Sequence, residues 1–129
     1  MILGIHHVSM KCATPAELQA ARDFYCGLLG LEVVREWPEG VMIDTGAGRI
    51  EIFSNGEGFR QKGAVRHFAL SVDDVDAYAE RVRRAGYRVF VGPKDITLDS
   101  DPPVNARMAF CNGPLGEEIE FFCENPGED

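Results

Sequence analysis

Apolar and polar positions alternate in short runs along much of the chain, and the runs are interrupted twice by a longer period. "IHHVSMKC" at residues 5–12 reads as a strand, with Val8, Met10 and Cys12 on one face and His7, Ser9 and Lys11 on the other. "TPAELQAARDFYCGLLG" then shifts to helical spacing, with Leu18, Ala21, Tyr25 and Leu28 on one face and Phe24 and Leu29 widening it. Its start is well marked: Thr14 as N-cap, Pro15 as first helical residue and Glu17 closing a capping box. Gly30 is the stop. Strands follow at "LEVVREW", "GVMIDTG" and "RIEIFSN", with Gly40 and the "GAG" at 46–48 marking turns.

The order then repeats. "VRHFALSV" reads as a strand, and "DDVDAYAERVRRAG" as a helix, acidic at its start, basic near its end and stopped by Gly86. "YRVFVG", "ARMAFCN" and "EEIEFFC" are three further strands, and "PKDITLDSDPPVN" reads as a long polar loop between the first two. The pattern predicts an α+β chain of two βαβββ modules, residues 1–55 and 64–124, joined by a Gly-rich linker at 56–63 within one domain of 1–129.

The repeat brings chemistry into view. Each half has a histidine in its first strand, His7 or His67, and a glutamate inside its last, Glu51 or Glu120. In all four strands the alternation turns this residue away from the apolar face. A lone histidine or glutamate in such a place is ordinarily structural or solvated. Recurrence in equivalent slots points to a hollow lined by two imidazoles and two carboxylates. Small neighbours, Ser9, Ala69 and Ser71, leave room there. Such a set suits a divalent ion: neutral imidazole takes nickel, cobalt, zinc, iron or copper, and carboxylates admit harder ions and neutralise the charge.

Composition narrows the function. The chain has 129 residues, 45% of them hydrophobic and 26% charged, enough for one globular domain with a real core. A formal net charge of −8 disfavours nucleic acid and anionic membranes as partners. No apolar run has the length of a transmembrane helix, and the N-terminus lacks a secretory pattern, so the expected location is cytoplasmic. The four cysteines form no C-x-x-C motif and lie in apolar segments, as expected of buried free thiols.

"HHVSM", "ARDFYCGLLGLEVV", "RIEIFSN", "RHFALSVDDVDA" and "NGPLGEEIEFF" occur in an order and spacing that resembles the vicinal oxygen chelate superfamily, the glyoxalase/bleomycin resistance/dioxygenase fold. The resemblance spans nearly the whole chain. It implies two βαβββ modules forming half-open β-barrels around one metal, with His7, Glu51, His67 and Glu120 as ligands. His7 rather than His6 fits the ligand position, because it directly precedes the V-x-M alternation; His6 is then expected to face the core. The four-ligand set looks most like bacterial glyoxalase I, or lactoylglutathione lyase. The implied reaction converts a hemithioacetal of a 2-oxoaldehyde and a thiol into a 2-hydroxyacyl thioester through an enediolate. Glu120 matches the catalytic base, and Glu51 would return or shuttle the proton. The implied cofactor is one divalent ion per site, nickel, cobalt, zinc or manganese. Asn55 matches a glutathione-contacting asparagine, and Lys11 stands where glyoxalase I usually has a glutathione-binding arginine. Lys11, Lys94 and Arg107 are candidate anchors for an acidic substrate. Small chains of this family commonly form homodimers with shared metal sites, which is the expectation here. Other readings within the resemblance are an epimerase or isomerase of a 2-oxo or acyl thioester and a thiol transferase of the fosfomycin-resistance type. Outside it stands a protein that only sequesters a small molecule.

Overall fold

The computed structural model describes residues 1, 3, 5–56, 65–100 and 102–126. The chain divides into two compact units, Met1–Gln61 and Lys62–Asp129. The linker expected at 56–63 lies, apart from Gly56, outside the described residues.

Unit 1 runs β1 (His7–Lys11), α1 (Pro15–Arg22), β2 (Glu32–Trp37), β3 (Gly40–Asp44) and β4 (Arg49–Phe53). Its open four-stranded sheet has the order β1-β4-β3-β2. β1 and β4 are parallel, and the two hairpin pairings are antiparallel. Unit 2 repeats this with β5 (Phe68–Ser71), α2 (Val75–Arg84), β6 (Val89–Leu98), β7 (Val104–Asn112) and β8 (Glu118–Glu124) in the order β5-β8-β7-β6. The fold is the pair of βαβββ modules that the alternation predicted, each with an open sheet as the family resemblance implied.

The local signals at the helix starts work as read. Thr14 accepts a hydrogen bond from the Glu17 amide, and Pro15 occupies the first turn, where its missing N–H costs nothing. The Glu17 carboxylate accepts from the Ala13 amide, one residue upstream of the usual capping-box partner. In unit 2, Asp74 caps α2 by accepting from the Ala77 amide.

The chain departs from the expected helix after Arg22. Asp23–Leu28 form a π-helical turn, closed by the Leu29 amide donating to the Phe24 carbonyl. Phe24, Tyr25 and Leu29 are all buried. The wider turn brings residues five apart closer to one line, so Phe24 and Leu29 face inward together rather than at the two edges of a broad helical face. Gly30 then ends the segment at φ 77°, as its position suggested.

A second departure lies in unit 2. The segment read as a polar loop is mostly paired: Lys94 to Leu98 run against Met108 to Val104 as an extension of β6 and β7. Its polar composition is that of a ribbon exposed along most of its length, and Pro93, which has no N–H to donate, falls where the register shifts.

The core of unit 1 contains Val41, Ile43, Ile50 and Ile52 from the sheet with Ala21, Phe24 and Tyr25. In unit 2, α2 packs on β6, β7 and β8. Val75, Ala79 and Val82 are its buried face, and Ala109, Cys111, Ile119 and Phe121 are buried in the sheet. Of the four cysteines, Cys12 and Cys111 are buried while Cys26 and Cys123 are half-buried. Burial pushes the Cys111 thiol up to about 12, with Glu117 adding to the effect.

Candidate functional site

In unit 1 the sheet register aligns Ser9 with Glu51 across the parallel β1–β4 pair. His7 stands two residues ahead of Ser9 on the same face. Its Nε2 lies 3.7 Å from Glu51 Oε1. Unit 2 repeats the arrangement. Ala69 aligns with Glu120 across β5 and β8, and His67, two residues ahead of Ala69, places Nε2 3.5 Å from Glu120 Oε1. The residue beside each glutamate is small, so each imidazole reaches over it to the carboxylate. Exposure is also matched: the histidine side chains retain 38% and 39%, and the glutamates only 16% and 12%.

Both separations exceed a hydrogen bond. Two ligand atoms held by one first-row ion at tetrahedral to octahedral angles stand about 3.0–3.4 Å apart, so each pair sits close to that spacing. The donor set, an imidazole nitrogen and a carboxylate oxygen per unit, suits a divalent ion. Each pair supplies two donor atoms, and among the described residues no three His, Cys, Asp or Glu side chains converge.

The surroundings of the two pairs differ. Phe110 aligns with Glu120 in the β7–β8 register, and its ring meets the His67 ring edge-on at 5.0 Å. The corresponding neighbour of Glu51 is Met42. Burial raises the Glu120 carboxyl above its ordinary range, and the attraction of His67 opposes this only in part.

His6 does not face the core. It is exposed, and its Nδ1 lies 2.9 Å from Nδ1 of His7, one ring donating and the other accepting. This contact ties down the nitrogen of His7 that points away from Glu51 and leaves Nε2 toward the carboxylate. The irregular backbone ahead of β1 frees His6 from the strand alternation that suggested an inward side chain.

Of the residues expected to contact substrate, Lys11 shares the face of His7 and Glu51 and is exposed. Asn55 is exposed two residues beyond the end of β4. Lys94 aligns with Met108, on the Glu120 face. Arg107 lies on the other side. It aligns with Cys123 while Phe110 aligns with Glu120, and an odd separation along β7 reverses the face. Its guanidinium is bound by Asp76 of α2 at 2.5 and 2.8 Å and by Asp95 of β6 at 3.0 Å. Arg107 is therefore a strut between helix and ribbon. The sequence reading also passed over Trp37. Its indole covers Gly40 on the Glu51 face and meets the Phe53 ring at 5.2 Å. Phe53 was legible in the sequence, since it shares the alternation of Glu51. Trp37 becomes legible only through the turn that returns β3 beside it.

The family profile of the Glyoxalase/Bleomycin resistance protein/Dioxygenase superfamily matches residues 4–121. The chain belongs to this superfamily. It is 28% identical to "Uncharacterized protein YaeR" of Escherichia coli (strain K12), covering 94% of this chain and 98% of the relative. It is 28% identical to a lactoylglutathione lyase of Neisseria meningitidis serogroup A / serotype 4A, covering 87% of this chain and 86% of that enzyme. Its fold is similar to that of TnmS3, an antibiotic binding protein from Streptomyces sp. CB03234, with TM-score 0.72 at 21% identity over 96% of this chain and 98% of that one. No helix among the described residues is long and apolar enough to cross a membrane.

Proposed function

We propose that this chain is a lyase of the glyoxalase I kind, which holds one divalent ion per site and converts the hemithioacetal of a 2-oxoaldehyde and a thiol into a 2-hydroxyacyl thioester. The observation that carries the reading is the repeated His–Glu pair: His7 with Glu51 and His67 with Glu120, each imidazole two residues ahead of the small residue aligned with its glutamate. The distant likeness to a lactoylglutathione lyase supports the same class.

His7, Glu51, His67 and Glu120 would hold the ion, as two neutral imidazoles and two carboxylates. When bound, such an ion acts as a Lewis acid toward two adjacent substrate oxygens and acidifies the carbon-bound proton beside them. The chain's own residues handle that proton. A Glu120 carboxylate oxygen is the acceptor. Glu120 passes that proton to Glu51, which returns it to the neighbouring carbon, so the reaction is an isomerisation with no redox step. Phe110, packed on His67, shields this half of the site from water. Lys11, on the His7 face, takes an acidic group of the thiol, and exposed Asn55 offers an amide to the same part. The working unit in this reading is a cytoplasmic homodimer in which each site draws one His–Glu pair from each chain.

The test is a screen of methylglyoxal with glutathione and other thiols, in nickel, cobalt, zinc and manganese, following thioester formation and deuterium uptake at carbon from heavy water. Thioester is expected with at least one thiol and metal. No thioester and no exchange under any combination would reject the reading.

A further inference from the structure

The ligand face of unit 1 continues past the His–Glu pair. Phe53 lies two residues beyond Glu51 on the same face of β4, and Gly40 aligns with Phe53 across β3. Trp37 aligns with Gly40 in turn. Gly40 has no side chain, and the indole takes its place: a Cβ there would meet Cε2, Cζ2 and Nε1 of Trp37 at 2.5–2.6 Å. The Trp37 and Phe53 rings meet at 5.2 Å, inclined by 58°. Both are only half-buried, unlike the aliphatic core behind the sheet. Two exposed cations flank this patch: Lys11 aligns with Phe53, and Arg35 aligns with Met42, the neighbour of Glu51. In a chain of net charge −8, cations gathered on the ligand face favour an anion there.

Two residues along a strand span about 6.6–6.8 Å. A third ring inclined to these two would rest at about 4.5–7 Å between centroids. We propose that Trp37 and Phe53 form a specificity platform that selects anionic substrates carrying a flat apolar group, an aromatic ring above all, a few ångströms from their two adjacent oxygens. This deepens the reading of His7 and Glu51 as ion ligands and rests on it. The substrate class becomes adducts of aryl-bearing 2-oxoaldehydes in preference to those of methylglyoxal. A cross-strand aromatic pair also stabilises a sheet, but that role alone gives no preference among ligands.

The probes are 3-phenyllactate and lactate, which share the hydroxyl and carboxylate and differ by the phenyl ring. Each is titrated into the zinc-loaded full chain by calorimetry and by the emission of Trp37, the single tryptophan of the chain. Burying the phenyl ring predicts that phenyllactate binds about tenfold tighter than lactate or better, and it shifts the Trp37 emission where lactate does not. Phe53→Leu removes the ring and keeps apolar bulk, so it should lose most of that preference while zinc content stays at wild-type level. Lys11→Met should weaken both ligands alike and leave their ratio unchanged. If Phe53→Leu does not fold, Trp37→Leu is read by calorimetry for the same loss. Equal affinities, no binding of either acid, or a preference that survives loss of the ring would overturn the platform while leaving the metal reading standing. If the chain holds no zinc, the titration is repeated without it. A ring-dependent response then upholds the platform and rejects the metal reading, and its absence overturns both.

Discussion

His67 Nε2 and Glu120 Oε1 stand 3.5 Å apart, brought together by the parallel pairing of the first and last strands of one module. Neither residue is near the other in sequence. The same pairing in the first module sets His7 3.7 Å from Glu51. If these pairs are halves of one ion site, the protein should bind one divalent ion per chain, measured as metal content after dialysis. His67→Ala should then lose most of the bound metal. An ion that binds only the folded chain, at a hundredfold excess over its Kd, adds about 2.7 kcal/mol of stability, so the variant should also melt lower in saturating metal.

Glu120→Gln keeps the shape and one oxygen but removes the basic carboxylate. Thioester formation should fall by about 10²–10⁴-fold, with metal affinity falling far less. The metal-free variant should respond to pH in its own way. Burial raises the Glu120 carboxyl in the folded chain, so its contribution to stability is fully present below the unfolded value near 4.5 and is lost as pH rises through the folded one. Glu120→Gln should therefore flatten this loss and match or exceed the wild-type melting temperature at neutral pH without metal.

If each site draws one pair from each of two chains, mixtures reveal it. His7→Ala chains and His67→Ala chains, unfolded and refolded together, should regain one intact site in each mixed dimer, because both defects fall in the other site. Sites built within single chains would regain nothing. Activity of the mixture against each variant alone decides, with mixed dimers verified by mass.

Gly40→Ala should displace the Trp37 indole, since the added Cβ would stand 2.5 Å from it. Overpacking of this kind costs about 1–3 kcal/mol. The expected signs are a lower unfolding midpoint in urea and a shifted tryptophan emission in the folded state. Gly46, whose positive φ would also strain an alanine but where no side chain stands within reach, should leave the emission unchanged.

Arg107 predicts an acid limb. Its hydrogen bonds and charge hold the Asp76 carboxyl below its usual 3.8. Asp76 thus adds stability that is present above that value and lost as pH falls through the lowered one. Arg107→Met should weaken this acid dependence, read as melting temperature between neutral pH and pH 3, and should not change metal content, because Arg107 lies on the opposite face from Glu120.

Both modules were legible in the sequence because alternation, helical period and cap residues agree at each element. Thr14, Asp74, Gly30 and Gly86 mark helix ends by local chemistry, and local chemistry needs no knowledge of neighbours. The two His–Glu pairs were legible for a related reason: equivalent slots in two repeats share one register. The misreadings share a cause as well. The π-turn at Asp23–Leu28 is set by which rings the core accepts, and helical spacing alone does not report that. The paired ribbon at 94–98 reads as loop because its residues are largely polar and exposed. Arg107 was a candidate substrate anchor because its charge is visible in the sequence, whereas its partner Asp76 arrives from a helix that only the fold brings there.

The register of β4 against β1 has a further consequence, for errors in folding. A slip of one residue would turn Glu51 toward the apolar side and present Ile50 or Ile52 beside His7. The same holds for β8, where Ile119 or Phe121 would replace Glu120. A misaligned module is thus penalised once by a buried carboxylate and again by two aliphatic or aromatic groups left in water, and it has no capacity to chelate. If the pairs hold an ion, its binding is proofreading of a kind: only correctly zipped strands are captured, and a shortage of the ion lets slipped forms persist.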